Sequence, residues 1–77
     1  MVKILFFAGL KEQAGMDSLD VEASGMTVNN MCEKYLADLN MSELSQAMIA
    51  INEEYADAET VLQDGDTVAL IPPVSGG

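Results

Sequence analysis

Apolar and polar residues alternate in a stretch near the start of the chain, which is the pattern of a β-strand with one buried face. In residues 2–8, Ile4 and Phe6 point to one side, while the residues between them point to the other side together with a lysine. Because lysine seldom lies in a protein core, we expect Ile4 and Phe6 to face inward. Leu5 and Phe7 should then lie on an outer face of the sheet.

A second alternating stretch follows after a short interruption. Residues 10–16 predict a helical turn that stops at Gly15, since glycine commonly ends a helix. Residues 18–23 then alternate again, with their apolar members on one side. A hairpin is the simplest pairing of the two strands.

The middle of the chain carries the spacing of an amphipathic helix. Thr27 is a favourable N-cap, and apolar residues recur after it at intervals of three and four positions. The residues of this apolar face are Val28, Met31, Cys32, Tyr35, Leu36 and Leu39. We expect the helix to end near Asn40 and residues 42–46 to add one further turn.

The last third of the chain predicts three short strands. Residues 48–51 form an apolar strand, and residues 52–55 bend into a short fourth strand. An Asp-Gly-Asp sequence at residues 64–66 is a strong turn signal. The final strand covers residues 67–71 and leads directly into two prolines.

This order of elements predicts an α+β fold, in which one main helix covers one face of a mixed sheet of four to five strands. The first and last strands can lie side by side in the middle of the sheet. Val68 and Leu70 on the last strand would then face the helix. Thr67, Ala69 and Ile71 would join the outer face. The result is an exposed apolar patch beside the end of the last strand, and such patches often mark contact surfaces.

Residues 72–77 differ in chemistry from the folded body, which we assign to residues 1–71. Pro72 and Pro73 each fix φ and donate no hydrogen bond, so we expect the chain to leave the sheet extended. The last two residues are glycines, which can enter a slot too narrow for any other residue. The segment therefore forms a slim arm with a reach of about 20 Å that ends in the Gly77 carboxylate. A frayed terminus is the alternative interpretation.

Composition narrows the classes of function. Thirteen acidic residues against three basic ones give a net charge of −10, with no histidine. This charge disfavours nucleic acids and anionic membranes and favours a partner with a basic docking face, unless it serves only solubility. A single cysteine allows no internal disulfide and fits a cytoplasmic setting. The apolar start is too short for a signal peptide, and no apolar run is long enough to span a membrane.

Candidate chemistry within the body is sparse. Cys32 lies on the apolar helical face, where a buried thiol explains it, and there is no histidine to activate it. The acidic residues of segment 53–59 lack the ordered spacing of a calcium loop and fit a solvated face, so we predict no metal site. Since the chain has no nucleophile–histidine pair and no glycine-rich phosphate loop, we do not expect a self-sufficient enzyme.

Both ends of the chain resemble those of one known family. The specific segments are Lys3-Ile4-Leu5-Phe6-Phe7-Ala8, Asp64-Gly65-Asp66, Val68-Ala69-Leu70-Ile71 and Pro72-Pro73-Val74-Ser75-Gly76-Gly77. They closely resemble the MoaD family of sulfur carriers, the small subunits of molybdopterin synthase, and the resemblance spans the whole chain. That family has the ubiquitin-like β-grasp fold, which agrees with the predicted order of elements.

The resemblance implies a mechanism in which the chain itself binds no cofactor. An adenylating enzyme of the ubiquitin-activating type would use ATP to attach AMP to the Gly77 carboxylate. A sulfur donor enzyme would then convert this group to a thiocarboxylate. The thiocarboxylate would deliver sulfur to cyclic pyranopterin monophosphate in the large subunit of a heterotetrameric molybdopterin synthase.

The resemblance also implies roles for individual residues. The residues that would enter the partner's active site with the terminal glycine are Gly76, Ser75, Val74, Pro73 and Pro72. The residues that would contact the partner are Phe7, Leu5, Ala69, Ile71 and Lys11. Many members of the family carry an aromatic residue where this chain has Ile71, and they often carry an arginine where Lys11 stands.

Three other functions stay open on the sequence. The sulfur carrier of thiamine thiazole synthesis shares the fold and the terminal glycines, although the paired prolines favour the molybdopterin branch. A ubiquitin-like protein modifier would instead form isopeptide bonds with lysines of target proteins. In a passive acidic adaptor, removal of Gly76 and Gly77 would change nothing beyond stability.

Overall fold

A computed structural model describes residues 1–37 and 47–72 of the chain. Five strands and two helices occur in these ranges. In chain order they are β1 (Val2–Phe6), α1 (Ala8–Ala14), β2 (Ser18–Val21), α2 (Val28–Tyr35), β3 (Met48–Ile51), β4 (Glu54–Ala56) and β5 (Thr67–Ile71). Neither helix of the described ranges is long and apolar enough to cross a membrane.

The strands form one mixed sheet in the order β2-β1-β5-β3-β4. Strand β1 is antiparallel to β2 and parallel to β5, while β3 is antiparallel to both β5 and β4. The prediction that the first and last strands lie side by side in the middle is therefore confirmed. Because β1 and β5 are parallel, both reach their carboxyl ends at the same edge of the sheet.

One face of the sheet is buried beneath the helices. Alternate residues of β1 and β5 point to this inner face, and their registered pairs include Ile4 with Val68 and Phe6 with Leu70. The buried residues of the core cluster are Val2, Ile4, Phe6, Leu10, Val21, Ala23, Val28, Met31, Leu36, Leu62, Val68 and Leu70. The predicted inward orientation of Ile4, Phe6, Val68 and Leu70 is thus confirmed.

Helix α2 begins as the sequence predicts and ends earlier. The Thr27 hydroxyl accepts a hydrogen bond from the backbone N–H of Asn30 at 3.1 Å, so Thr27 is the N-cap. The helix ends at Tyr35, and the predicted end near Asn40 is wrong for the helix proper. No glycine or proline follows Tyr35 to mark a stop, which is why the apolar spacing suggested a longer helix. Residues 38–46, including the further turn predicted at 42–46, lie outside the described residues.

The first strand is also shorter than predicted. It ends at Phe6, and Ala8 begins α1 with a left-handed backbone, φ 50°. Such a conformation is uncommon for a residue that has a Cβ atom, and alternation of apolar residues gives no sign of it. The predicted stop of the helix is confirmed, because Gly15 caps it with φ 74°.

The hairpin of β3 and β4 is displaced slightly along the chain. The prediction placed a strand at residues 52–55, whereas Asn52 and Glu53 form the turn and the strand is Glu54–Ala56. Both turn residues have positive φ, 50° for Asn52 and 71° for Glu53. This is the backbone of a type I′ hairpin turn, whose twist matches that of the flanking strands. The turn predicted at 64–66 is confirmed, with Gly65 at φ 90°.

Candidate functional site

The face of the sheet opposite the core is apolar at one end. On this outer face Leu5 lies beside Ala69, and Ile71 lies beside Met48 across the β5–β3 pair. Tyr55 on β4 points to the same face of the sheet as the outward-pointing residues of the neighbouring strand β3. We call the following set the apolar outer face: Leu5, Phe7, Met48, Tyr55, Ala69 and Ile71.

Three side chains of the apolar outer face are exposed. Phe7 is 43% exposed, Met48 46% and Tyr55 74%, while Leu5, Ala69 and Ile71 are partly exposed. Large apolar side chains that cluster on one exposed face carry an unfavourable hydration free energy, which contact with another apolar surface would remove. The exposed apolar patch that the sequence predicts is therefore present at the predicted place.

The other end of the same sheet is polar and internally bonded. The Asn52 side chain donates to the Asp66 carboxylate at 2.9 Å and accepts from the Thr67 backbone N–H at 3.1 Å. The second oxygen of Asp66 accepts from the Gln63 backbone N–H at 2.9 Å. The Asp66 carbonyl accepts from Lys3 N–H at 3.0 Å, which ties β1 to the turn before β5. We call these residues the polar end of the sheet.

The terminal segment starts at the apolar end. Strand β5 ends at Ile71, whose Cα partner is Met48, and the next residue, Pro72, is buried against the body. The predicted arm therefore starts at the carboxyl end of the central strand β5, between the β1 and β3 sides of the apolar outer face. Pro73, Val74, Ser75, Gly76 and Gly77 lie outside the described residues, and their roles stay predictions.

Lys11 differs from the other predicted contact residues because it is already paired. It lies on α1, and its Nζ is 2.9 Å from the Asp17 carboxylate, with both side chains largely exposed. An exposed ion pair of this kind contributes little to stability and is easily exchanged. The Asp17 carbonyl also accepts from Phe6 N–H at 2.9 Å, which holds the start of β2 against the end of β1.

Cys32 shows the features of an inert thiol. It is partly buried on α2. Burial, and to a lesser extent the nearby negative charge of Glu33, raises its pKa to about 11. Because the thiolate is the reactive form, such a thiol is almost fully protonated at neutral pH. Within residues 1–37 and 47–72, no group of three histidine, cysteine or acidic residues could hold a metal ion.

Two residues of the apolar outer face were not among the sequence-predicted contacts. Met48 and Tyr55 come from the β3–β4 hairpin, on the far side of β5 from Phe7. The burial of Ile49 and Ile51 against the core indicates that Met48 points outward by alternation. The missing information was the pairing of β3 with β5, which the sequence pattern alone does not give.

Comparison with protein families and curated proteins connects the chain to sulfur carriers. The model of the ThiS family matches residues 4–77. The molybdopterin synthase sulfur carrier subunit of Escherichia coli (strain K12) is 35% identical over 81 aligned positions, which cover 100% of both chains.

Solved structures show the same fold. A complex of subunits 1 and 2 of the molybdopterin-converting factor from Helicobacter pylori 26695 contains a chain that matches with a TM-score of 0.72 at 26% identity, covering 99% of this chain and 97% of that one. The small archaeal modifier protein 1 of Methanosarcina acetivorans matches with a TM-score of 0.69 at 30% identity, covering 99% and 95%. These neighbours confirm the ubiquitin-like β-grasp fold.

Proposed function

Because this chain belongs to the ThiS family, we propose that it is a sulfur carrier of molybdenum cofactor biosynthesis, charged with sulfur at its terminal glycine. The relatives named as sulfur carrier subunits of molybdopterin synthase support this branch of the family. The folded body supplies recognition, and residues 72–77 supply reach into a distant active site.

One structural observation carries the proposal. The central strand β5 delivers the chain to Pro72 at the end of the sheet where the outer face is apolar and exposed. A partner that covers this face also encloses the start of the terminal segment. Docking and insertion of the arm are therefore coupled by the position of a single strand.

The chemistry of the proposed cycle takes place on the Gly77 carboxylate. A carboxylate oxygen attacks the α-phosphate of ATP in a partner adenylating enzyme, and pyrophosphate leaves. The outer sulfur of a persulfide donor then attacks the activated carbonyl, and AMP leaves. A second thiol of the donor attacks the donor sulfur of the resulting acyl disulfide, so that the donor is oxidised to a disulfide and the thiocarboxylate is released. In the large subunit, the thiocarboxylate sulfur bonds to cyclic pyranopterin monophosphate, and water then cleaves the acyl carbon–sulfur bond, which leaves the sulfur on the pterin and restores the Gly77 carboxylate.

The side chains of the arm suit this task. Gly76 and Gly77 leave bare backbone that fits a narrow channel, and proline at 72 and 73 limits the directions in which the arm leaves the sheet. Buried Pro72 anchors the arm to the body. The chain itself binds no cofactor in this scheme, and ATP is bound by the adenylating enzyme.

The proposed partners are a large synthase subunit, an adenylating enzyme and a sulfur donor enzyme. The Helicobacter pylori complex of subunits 1 and 2 supports the first of these. A net charge of −10 favours partners with basic docking faces and disfavours nucleic acid and anionic membranes. We propose the cytoplasm as the location, where these partners and ATP would be available.

A second candidate function is protein modification. It is favoured by the 30% identity to the small archaeal modifier protein 1 of Methanosarcina acetivorans. Both functions begin with adenylation of the same carboxylate and differ in what attacks next, a sulfur nucleophile or the amine of a target lysine. Their products therefore differ in mass and in linkage.

Reconstitution tests the proposed function directly. The large subunit and the pterin precursor are mixed with the unmodified chain, with the thiocarboxylated chain, or with a thiocarboxylated chain that lacks one of the two terminal glycines. We expect conversion only with the full-length thiocarboxylated chain, because the shortened arm fails to reach the substrate. Conversion by the unmodified chain without ATP or a sulfur source would contradict the mechanism.

A further inference from the structure

A groove separates helix α2 from the β3–β4 hairpin on the helix side of the sheet. At one end the two elements are joined, because the backbone N–H of Asn29 donates to the Ala58 carbonyl at 2.9 Å. The groove has a volume of about 780 Å³, and half-buried Cys32 and Ile49 are among the residues that line it. Ile49 is registered with the buried Leu70, so the groove opens on the face of the sheet opposite the apolar outer face.

The lining of this groove combines small apolar side chains with negative charge. Cys32 contributes from α2, Ala56 from β4, and Ala58 from the residues that follow β4. The charged residues of the lining are Glu33 on α2 and Asp57 after β4, and both are exposed. Such a groove favours an occupant that places an apolar side chain between the two elements and a cationic group beside them.

Strand β4, at the edge of the sheet, offers backbone groups next to the groove. Residues 52–53 form a two-residue turn, so Ile51 and Glu54 are the hydrogen-bonded pair that closes it. Since such pairs alternate along an antiparallel ladder, Ala50 and Tyr55 form the next pair, which is not hydrogen-bonded. The backbone N–H and C=O of Tyr55 therefore point away from β3, where an added strand can bond to both.

A strand that pairs with Tyr55 would place its neighbouring side chains on the groove side. Ala56 and Glu54 point to the inner face, because they are registered with the inward-pointing Ile49 and Ile51. In an antiparallel addition, the residue before the Tyr55 partner lies opposite Ala56, and the residue after it lies opposite Glu54. An apolar side chain at the first position enters the groove, and a basic one at the second meets the Glu54 carboxylate.

We propose that the edge of β4 and the groove beside it bind an extended segment of a second partner protein, with an apolar residue two positions before a basic one. Main-chain bonds to Tyr55 would supply affinity, and the groove and Glu54 would supply specificity. The site goes beyond the proposed function, because it leaves the apolar outer face free for the large subunit. A second copy of this chain fits poorly, since residues 47–72 contain six acidic residues and no lysine or arginine.

The first experiment titrates the full-length, nitrogen-15-labelled chain with the peptide acetyl-Arg-Val-Ile-Thr-Arg-amide and follows the backbone amide signals by NMR. In this peptide threonine pairs with Tyr55, isoleucine faces the groove and the last arginine faces Glu54. The control peptide carries an N-methyl group on threonine, which removes the N–H that would donate to the Tyr55 carbonyl. We expect saturable shifts at Tyr55, Ala56 and Cys32, and about ten-fold weaker binding of the N-methylated peptide.

The second experiment tests the role of charge with two variants of equal net charge. Glu54→Gln removes the carboxylate on β4, and Glu12→Gln removes an exposed carboxylate on α1 as the matched control. We expect Glu54→Gln to weaken peptide binding about three-fold at low salt and Glu12→Gln to leave it unchanged. Binding of the large subunit should be the same for both variants and in the presence of saturating peptide.

Four results would overturn the proposed edge site. They are an absence of saturable shifts, equal binding of the N-methylated peptide, shifts that cluster at Leu5 and Phe7 on the outer face, and self-association of the free chain through the Tyr55 amide. The second of these would indicate diffuse attraction of a cationic peptide to an acidic chain. Each would leave sulfur transfer in the reconstitution unaffected, so failure of this site is distinguishable from failure of the proposed function.

Discussion

The two ends of the sheet are built for different purposes. At the polar end, Asn52, Asp66 and the backbone around Thr67 are joined by hydrogen bonds of 2.9–3.1 Å that tie β3 and β5 to each other. At the apolar end, the apolar side chains of Phe7 and Met48 project outward and are exposed. Polar groups that bond to each other gain little from a partner, whereas exposed apolar groups gain from being covered. The comparison indicates that one end holds the fold and the other end is available for contact.

The largest expected effect is on stability, and it distinguishes two neighbouring residues of β5 that point to opposite faces of the sheet. Leu70 is 1% exposed and Ile71, the next residue of β5, is partly exposed. We expect Leu70→Ala to lower the free energy of unfolding by about 3 kcal/mol, because it leaves a cavity in the core. Ile71→Ala should lower it by less than about 1 kcal/mol. Urea unfolding measures both, and equal losses would show that the outer face is part of the core.

The next effect concerns binding at the apolar end. Phe7→Ala should weaken binding to the large subunit by about 2 kcal/mol, or roughly thirty-fold, because an exposed aromatic anchor is lost. The thermal midpoint should change little, since Phe7 is 43% exposed. Titration calorimetry together with a thermal scan measures the two quantities. If Phe7→Ala lowered the thermal midpoint and left partner binding unchanged, Phe7 would stabilise the fold and would not be a contact residue.

The polar end should respond in the opposite way. Asp66→Ala removes the acceptors of the Asn52 side chain and the Gln63 N–H. We expect a loss of about 1–2 kcal/mol in the free energy of unfolding with no change in partner binding, because the donors lose charged acceptors. Asp20→Ala, on the surface of β2, is the control for loss of one carboxylate. Weakened binding with unchanged stability would contradict the assignment.

The smallest expected effect comes from positive φ angles, which occur at one residue near each end of the sheet. Ala8 at the apolar end and Glu53 at the polar end both hold positive φ, 50° and 71°. Glycine adopts this conformation without the Cβ penalty, although it also raises the entropy of the unfolded chain. We expect Ala8→Gly and Glu53→Gly each to raise the free energy of unfolding by about 0.5 kcal/mol. Destabilisation by either substitution in urea unfolding would show that its Cβ contributes to the fold.

Much of this fold follows from local patterns. The alternation around Ile4 and Phe6, the Thr27 N-cap and the turn at Gly65 each act within a few residues, and all are confirmed. The exposed patch also follows from alternation, once the first and last strands are placed side by side. These features depend on spacing and side-chain chemistry that a sequence displays directly.

Other features depend on contacts between distant segments. The early end of α2 at Tyr35 has no glycine or proline to announce it, and the left-handed Ala8 has no sequence signal. The addition of Met48 to the outer face requires the antiparallel pairing of β3 with β5, which is a property of the whole sheet. The contact role of Lys11 came from family resemblance alone, whereas alternation had also placed Phe7 on the exposed patch. Both contact roles stay predictions, although the structure shows where both residues lie.

The central claim is that the Gly77 carboxylate accepts sulfur. The most direct measurement is the intact mass of the chain after incubation with the adenylating enzyme, ATP and a persulfide donor, followed by fragmentation to locate the change. We predict a mass increase equal to the exchange of one oxygen for one sulfur, located at Gly77. An unchanged mass, or heavier adducts joined through lysine, would contradict the claim.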